Sequence, residues 1–425
     1  MRNSAWIGID FGTSGCRVCA IDKSGAILAQ TELTLPASPQ PYPSAKQQSH
    51  FVFATLKNLL CQIPDVEVES IVIDATSGSV MLCDLQGRPL SEMLMYNDQR
   101  AINASQQIDK TAPADSAAHG PGSGLAKLLY LQRTLALPEK YYLAHQADWL
   151  AIQLGAKPGT TDYNNALKSG FDIVNNQWPS WIESLTSTDV LPNVVTPGTV
   201  IGKLSESSMQ KIGLKQSFSP ILKAGTTDSL AAFIATGANA IGEAVTSLGS
   251  TLVLKLICQK PVFDAKRGIY SHKLGKFWLC GGASNSGGAV LRHFFNNEQL
   301  RTLSQKIDLQ QSPPDYYPLL KSGERFPIAD ADYPPRMQPR PAEDHVFLYG
   351  LLAGIASIEK AGYDCLQQLS ESKLISIRSV GGGSDNSVWT RLRQSLLRVS
   401  FKQTHQTDAA YGSALLARDG LRLFE

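Results

Sequence analysis

The sequence predicts two mixed α/β domains, duplicated at the level of secondary structure and separated by a cleft. Three observations carry that expectation. At 425 residues the chain exceeds one core of ordinary size and suggests two domains of roughly 200 residues each. Each half opens with a strand, a turn of small residues and a returning strand, at 6–21 and again at 243–257. Strands and helical patterns then alternate through both halves, as in layered α/β domains.

The elements follow in order. Trp6 to Asp10, Cys16 to Ile21 and Ile27 to Leu33 read as three strands, the second pair joined by a hairpin turn at Asp22-Lys23-Ser24-Gly25. A helix is expected from Phe51 to Cys61, then apolar strands at Ser70 to Asp74 and Val80 to Cys83. Helices are expected at Gly124 to Leu135 and Tyr142 to Leu154, with a Pro- and Gly-rich loop from Ala112 to Gly124. In the second half Glu243 to Leu248, Thr251 to Ile257 and Phe277 to Cys280 read as strands. The proline-rich stretch Gln311 to Pro341 reads as irregular structure. Helical patterns at Phe347 to Tyr363 and Val388 to Leu397 flank a strand at Ile375 to Val380, and a last helix runs from Ala409 to Leu421.

Composition excludes several classes. Hydrophobic residues make up 43% and charged residues 18%, and the formal charge is +2, which gives no basic patch for nucleic acid or anionic membranes. The longest apolar stretches, such as Val245 to Ile257, are interrupted by Ser, Gly, Thr and Lys and are unfit to span a bilayer. A strand begins within about five residues of Met1, leaving no room for a signal peptide, so a cytoplasmic enzyme is expected. The seven cysteines lie mostly in apolar runs. Cys16-Arg17-Val18-Cys19 is formally a C-x-x-C, but it sits in a strand with no second pair, and buried thiols in a reducing compartment fit better than a metal or redox site.

Four segments carry chemistry. Asp10-Phe11-Gly12-Thr13-Ser14-Gly15 puts an acidic residue at a strand end before a tight turn, whose N–H groups and hydroxyls suit phosphate oxygens. Asp10 is the candidate Mg²⁺ residue, because magnesium keeps much of its water and needs few protein ligands. A plain hairpin turn is the alternative; a protein-kinase D-F-G is not, since no lysine strand or H-R-D loop precedes it. Ser247-Leu248-Gly249-Ser250-Thr251 is a second such turn in the other half. Ala224-Gly225-Thr226-Thr227-Asp228-Ser229 places Asp228 after an apolar strand, either as a general base or as the cap of the helix that follows. Gly381-Gly382-Gly383-Ser384-Asp385-Asn386 with Trp389 lets a flat ring approach the backbone, with polar and stacking contacts at Asn386 and Trp389. A flexible loop before an Asx-capped helix is the alternative. The Gly120-Pro121-Gly122-Ser123-Gly124 run fits neither a Walker A nor a dinucleotide spacing.

In order and spacing these segments resemble the FGGY family of carbohydrate kinases, within the actin and hexokinase superfamily. Met95 to Arg100 (M-Y-N-D-Q-R), Thr161 to Leu167 (T-D-Y-N-N-A-L), Leu191 to Val194 and Gly323 to Pro327 extend the resemblance over nearly the whole chain. It implies two ribonuclease-H-like domains with an interdomain active site, residues 1–235 and 236–407, with 408–425 packing back on the first. It also implies ATP and Mg²⁺, with Asp10 at metal and sugar and Asp228 as catalytic base. Gly12, Thr13 and Ser14 and then Gly249, Ser250 and Thr251 become the phosphate turns. Gly382, Gly383, Asn386 and Trp389 lie where the adenosine binds, and Ser77 faces the sugar.

Usual xylulose kinases of the family carry a Gly-Gln-x-His stretch where this chain has Asp74-Ala75-Thr76-Ser77-Gly78-Ser79. Overall the chain is similar to the short D-ribulose kinases of cyanobacteria and plants, which makes D-ribulose the expected substrate, D-xylulose or another pentulose or polyol the alternative. A chaperone-like ATPase would need a substrate-binding appendage that the sequence lacks. A sugar-sensing pseudokinase conflicts with the presence of Asp10, Thr13 and Asp228.

Overall fold

The computed structural model describes residues 4–35 and 42–425. They divide into two compact units, one taking Met1–Gly237 with Gln406–Leu423 and the other Ala238–His405. No helix among the described residues is long and apolar enough to cross a membrane.

The first unit is built on a six-stranded sheet ordered Ile27–Thr34, Gly15–Ile21, Ser4–Phe11, Glu67–Ala75, Ile221–Lys223 and Val200–Lys203. The first three strands form an antiparallel meander, and Glu67–Ala75 runs parallel to Ser4–Phe11. Asp22 fixes the hairpin turn by accepting from the Ser24 and Ala26 N–H groups at 2.8 and 3.0 Å. Central strands covered on both faces read as continuous apolar runs, and Ile7, Ile9, Ile71 and Ile73 are all buried.

The C-terminal helix Ala409–Asp419 closes one face of this sheet. Its backbone lies against the strand at Gly8, where a Cβ would sit 2.0 Å from the Ala410 carbonyl oxygen. Only glycine permits that approach. Ser70 Oγ and Lys223 Nζ both donate to the Ala417 carbonyl, at 2.8 and 2.5 Å, pinning the far end of the helix.

The second unit repeats the wiring. Its sheet is ordered His272–Leu274, Phe277–Ser284, Leu252–Cys258, Glu243–Leu248, Ser376–Val380 and Ser400–Phe401. Here three antiparallel pairings are followed by two parallel ones, where the first sheet has two of each and a last antiparallel pairing. The 27-residue helix Asp344–Ser370 packs across it.

Several elements differ from expectation. Tyr142 to Leu154 is not one helix: Tyr142–His145 is a strand paired antiparallel with Val80–Cys83, and the helix begins at Gln146. A short apolar run suits either state, and the distant partner strand decides it. The first helix starts at Ala45, six residues early, because Ser44 and Gln47 form a capping box. The helix Ile102–Thr111 is not expected from the sequence, because its mostly polar residues give little apolar periodicity.

Candidate active site

Strand register assembles the acidic centre of the first unit. Asp10 stands opposite Arg17 on one neighbouring strand and beside Asp74 on the other. Side chains in register on adjacent strands share a face, so one Arg and two Asp side chains meet at one end of the sheet. Arg17 Nη1 lies 3.3 Å from Asp10 Oδ2, and its Nη2 donates to Ser14 Oγ at 3.4 Å. Asp74 Oδ2 accepts from Ser413 of the C-terminal helix at 2.5 Å.

Asp228 joins them at the head of the helix Asp228–Ala235. The bridge between Ala75 and Thr227 lays this loop beside the end of the Glu67–Ala75 strand. Asp228 Oδ1 accepts from the Ser229 N–H at 2.6 Å. Asp10 and Asp74 stand near the carboxyl ends of their parallel strands and Asp228 after the end of the third, the usual ligand position in open α/β sheets.

The electrostatics are those of an unneutralised site. Burial raises the Asp10 carboxyl to about 6; a hydrogen bond shared with Asp74 and the Arg17 charge oppose that rise, and the Asp228 charge adds to it. Burial holds Asp74 well above the usual carboxylate range, and Asp10 adds to it. Asp10 Oδ1, Asp74 Oδ1, Ser77 Oγ and Thr227 Oγ1 are buried oxygens without a hydrogen-bond partner. Such atoms are costly, and here they gather beside the sheet end.

Among the described residues no cluster of three or more His, Cys, Asp or Glu is arranged to enclose a metal. The donor set nevertheless fits Mg²⁺, which takes one or two carboxylates and completes its shell with water and phosphate oxygens. The orphaned Asp10 oxygen would be an atom available to it. Arg17 and Asp74 were missed by sequence reasoning, although the hairpin register gives a signal for Arg17.

The phosphate-turn candidates keep an open tip. The Gly12 N–H donates to the Gly15 carbonyl at 3.0 Å, and Thr13 and Ser14 are exposed. In the segment after Asp74 the hydroxyls of Thr76, Ser77 and Ser79 part company. Thr76 and Ser79 are hydrogen-bonded to each other at 2.6 Å, Thr76 also donates to Gln146 at 2.6 Å, and Ser79 accepts from the Tyr96 N–H at 2.9 Å. Internal pairing removes both from recognition, and Ser77 alone keeps a free hydroxyl.

The second unit holds a cavity of about 590 Å³, ordinary for a small-molecule site, walled by Leu248, Gly288, Gly382, Gly383, Asn386 and Trp389 among others. Gly249, Ser250 and Thr251 stand beside it rather than in its wall. The turn is pinned by the Gly288 and Ala289 N–H groups, which donate to the Gly249 and Ser250 carbonyls at 2.9 Å each. Arg292 donates to Ser250 Oγ at 2.8 Å.

Two expectations change here. Trp389 is 1% exposed and donates its Nε1–H to the Leu352 carbonyl at 3.1 Å, so its ring has no free face for stacking. It instead underlies the glycine turn, where a Cβ at Gly383 would lie 2.6 Å from its ring. The Asn386 amide caps the Ser387–Leu397 helix by accepting from the Trp389 N–H at 3.0 Å and donates to Ser304 Oγ at 2.8 Å, which leaves one N–H and one lone pair facing the cavity it lines. Behind the cavity Arg393 and Glu359, both fully buried, pair through two contacts of 2.6 Å. Thr246 donates to Glu359 at 2.6 Å and Arg393 to Ser379 at 2.8 Å, tying together the two strands that lead into the glycine turns.

Two ribonuclease-H-type sheets, one ending in a carboxylate cluster and the other in a glycine-walled cavity, define a phosphotransferase fold of the actin and hexokinase kind. The chain belongs to the FGGY family of carbohydrate kinases, whose N-terminal domain model matches residues 5–234 and whose C-terminal domain model matches 244–418. It is 23% identical over 452 residues to a xylulose kinase of Staphylococcus epidermidis, covering 99% of this chain and 88% of that protein. It is 20% identical over 433 residues to a gluconokinase of Bacillus subtilis, covering 92% and 83%. The crystal structure of a xylulose kinase from Brucella ovis superposes with a TM-score of 0.86 at 21% identity, covering 98% of this chain and 90% of that one. The protein is therefore a carbohydrate kinase, and these identities leave its sugar to be argued separately.

Proposed function

We propose that the protein transfers the γ-phosphoryl group of ATP to the terminal hydroxyl of an open-chain ketopentose, D-ribulose ahead of D-xylulose, giving the 5-phosphate. The observation that carries the reading is the set of buried, unpartnered oxygens on Asp10, Asp74, Ser77 and Thr227 at one end of the first sheet. They are polar groups waiting for a polyhydroxy ligand and a cation. Asp228 takes the proton of the attacking hydroxyl as its oxygen bonds to phosphorus and ADP leaves. Asp10 would hold Mg²⁺ through its free oxygen, and the ion would supply neutralisation of the phosphate charge.

In this reading Gly12, Thr13 and Ser14 receive phosphate oxygens, as do Gly249, Ser250 and Thr251. The adenosine enters the cavity over Gly382 and Gly383, with Asn386 and Trp389 shaping its floor. Residues 1–235 with 408–425 act as the sugar domain and 236–407 as the nucleotide domain, working in the cytoplasm.

D-Ribulose and D-xylulose differ only in configuration at C3. A site built around one hydroxyl rejects a misplaced one because buried polar groups are then left unpaired. Ser77 supplies a short hydroxyl in place of the longer Gln and His of the usual xylulose kinases, which favours D-ribulose. D-Xylulose is the second reading, favoured by the names of the relatives. Steady-state ATP-consumption kinetics over D-ribulose, D-xylulose, ribitol, arabinitol, glycerol and gluconate test both. A higher kcat/KM for D-xylulose rejects the ribulose assignment, and no turnover with any ketopentose rejects the ketopentose reading.

A further inference from the structure

The Gly120–Gly124 run matches no phosphate-binding spacing, yet it leads to an unusual lysine. Ser123 caps the helix Gly124–Thr134 by accepting from the Ala126 N–H at 3.1 Å. One turn further, Lys127 is fully buried. Its ammonium donates to three backbone carbonyls, Gly78 and Met95 at 2.7 Å and Gly122 at 3.1 Å. An ammonium has three donors, and here each finds one acceptor from a different segment.

We propose that Lys127 is a positioning residue for the acceptor sugar: it binds the Ser77-bearing turn, the Met95–Tyr96 segment and the glycine run into one fixed wall. The inference rests on the reading that the turn after Asp74 belongs to the sugar site. Three carbonyl dipoles aimed at one point repel one another unless a cation sits between them. The segments also touch backbone to backbone. A Cβ at Gly78 would lie 2.9 Å from the Gly122 oxygen, and one at Gly122 would lie 2.9 Å from the Tyr96 oxygen. Ser77 directly precedes the Gly78 carbonyl that the ammonium holds, so a slack knot shifts its hydroxyl. Misplacement by about 1 Å costs of order 10²-fold in such sites.

The knot also has a pH window. Burial pushes the Lys127 ammonium down to about 7, with Asp98 opposing that fall and Lys168 adding to it. These are the two charged groups acting on it, one from the segment after Met95 and one from the turn Leu167–Ser169. Once the proton leaves, two donors remain for three carbonyls.

The test is steady-state kinetics of full-length Lys127→Met with D-ribulose, D-xylulose and ATP varied in turn. The sugar KM is expected to rise roughly 10–100-fold, while the ATP KM stays within about twofold. Wild-type sugar KM should climb between about pH 6 and 8, and the variant's should be high and flat. If Lys127→Met does not fold, Gly122→Ala keeps the lysine and wedges a methyl group between the same segments, with the same direction expected. Sugar and ATP KM rising together, or neither rising, overturns the proposal. Ser77→Ala separates the two readings. If it raises the sugar KM and the Lys127 and Gly122 variants do not, the positioning role alone falls; if none of the three does, the sugar-site reading falls with it.

Discussion

Replacing Asp10 by Asn should stabilise the first unit at neutral pH while abolishing turnover. The folded state raises the Asp10 carboxyl from 3.8 to about 6. An acid with a raised pKa favours the folded state below its unfolded value, and that advantage is lost as pH climbs through the folded one. Between about pH 4 and 6 the wild type should therefore lose about 3 kcal/mol at this residue, at about 1.4 kcal/mol per tenfold change. The pull of Arg17, whose side chain is 38% exposed, is already contained in that raised value and is not subtracted again. The net expectation is a gain of about 3 kcal/mol for Asp10→Asn at pH 7.5 and none, or a small loss, at pH 4. Because a two-unit chain need not unfold in one step, urea titrations should be read by pulsed hydrogen exchange on peptides from the Ser4–Phe11 strand. Parallel loss of stability with pH in both proteins, or a less stable variant at pH 7.5, would refute the reasoning.

Asp228→Ala should lower kcat by roughly 10²–10⁴-fold and leave the affinity for a non-hydrolysable ATP analogue nearly unchanged by calorimetry; near wild-type turnover would remove the general-base role. Arg393→Met leaves the Glu359 carboxylate buried without its partner, which typically costs about 3–5 kcal/mol. Thermal unfolding should show the second unit destabilised and ATP binding weakened, with Glu359→Leu/Arg393→Met recovering most of the loss, since an apolar pair of similar volume leaves no charge exposed to the core.

Local chemistry was legible before the fold was. The Asp22–Gly25 turn, the strand ends at Asp10 and Leu248 and the helix head at Asp228 follow from turn residues and apolar runs, because neighbours along the chain settle those conformations. Arg17 stood within reach of the same reasoning, since the hairpin's register sets it opposite Asp10. The Tyr142–His145 strand did not, because the partner that makes it a strand lies about sixty residues earlier.

The sequence by itself determined which residue types stand at the ends of which strands, and with them the family and the phosphotransfer chemistry. Only the tertiary structure decided which of those polar atoms remain free. Thr76 and Ser79 spend their hydroxyls on each other and on Gln146, and Trp389 turns its ring into the core beneath Gly383. One oxygen of Asp74 is taken by Ser413, 339 residues away, while the other is left unpaired. Hydrogen bonds saturate, so whether a side chain can meet a ligand depends on partners brought close by the closing of the fold, and that closing is not written in the spacing of a motif.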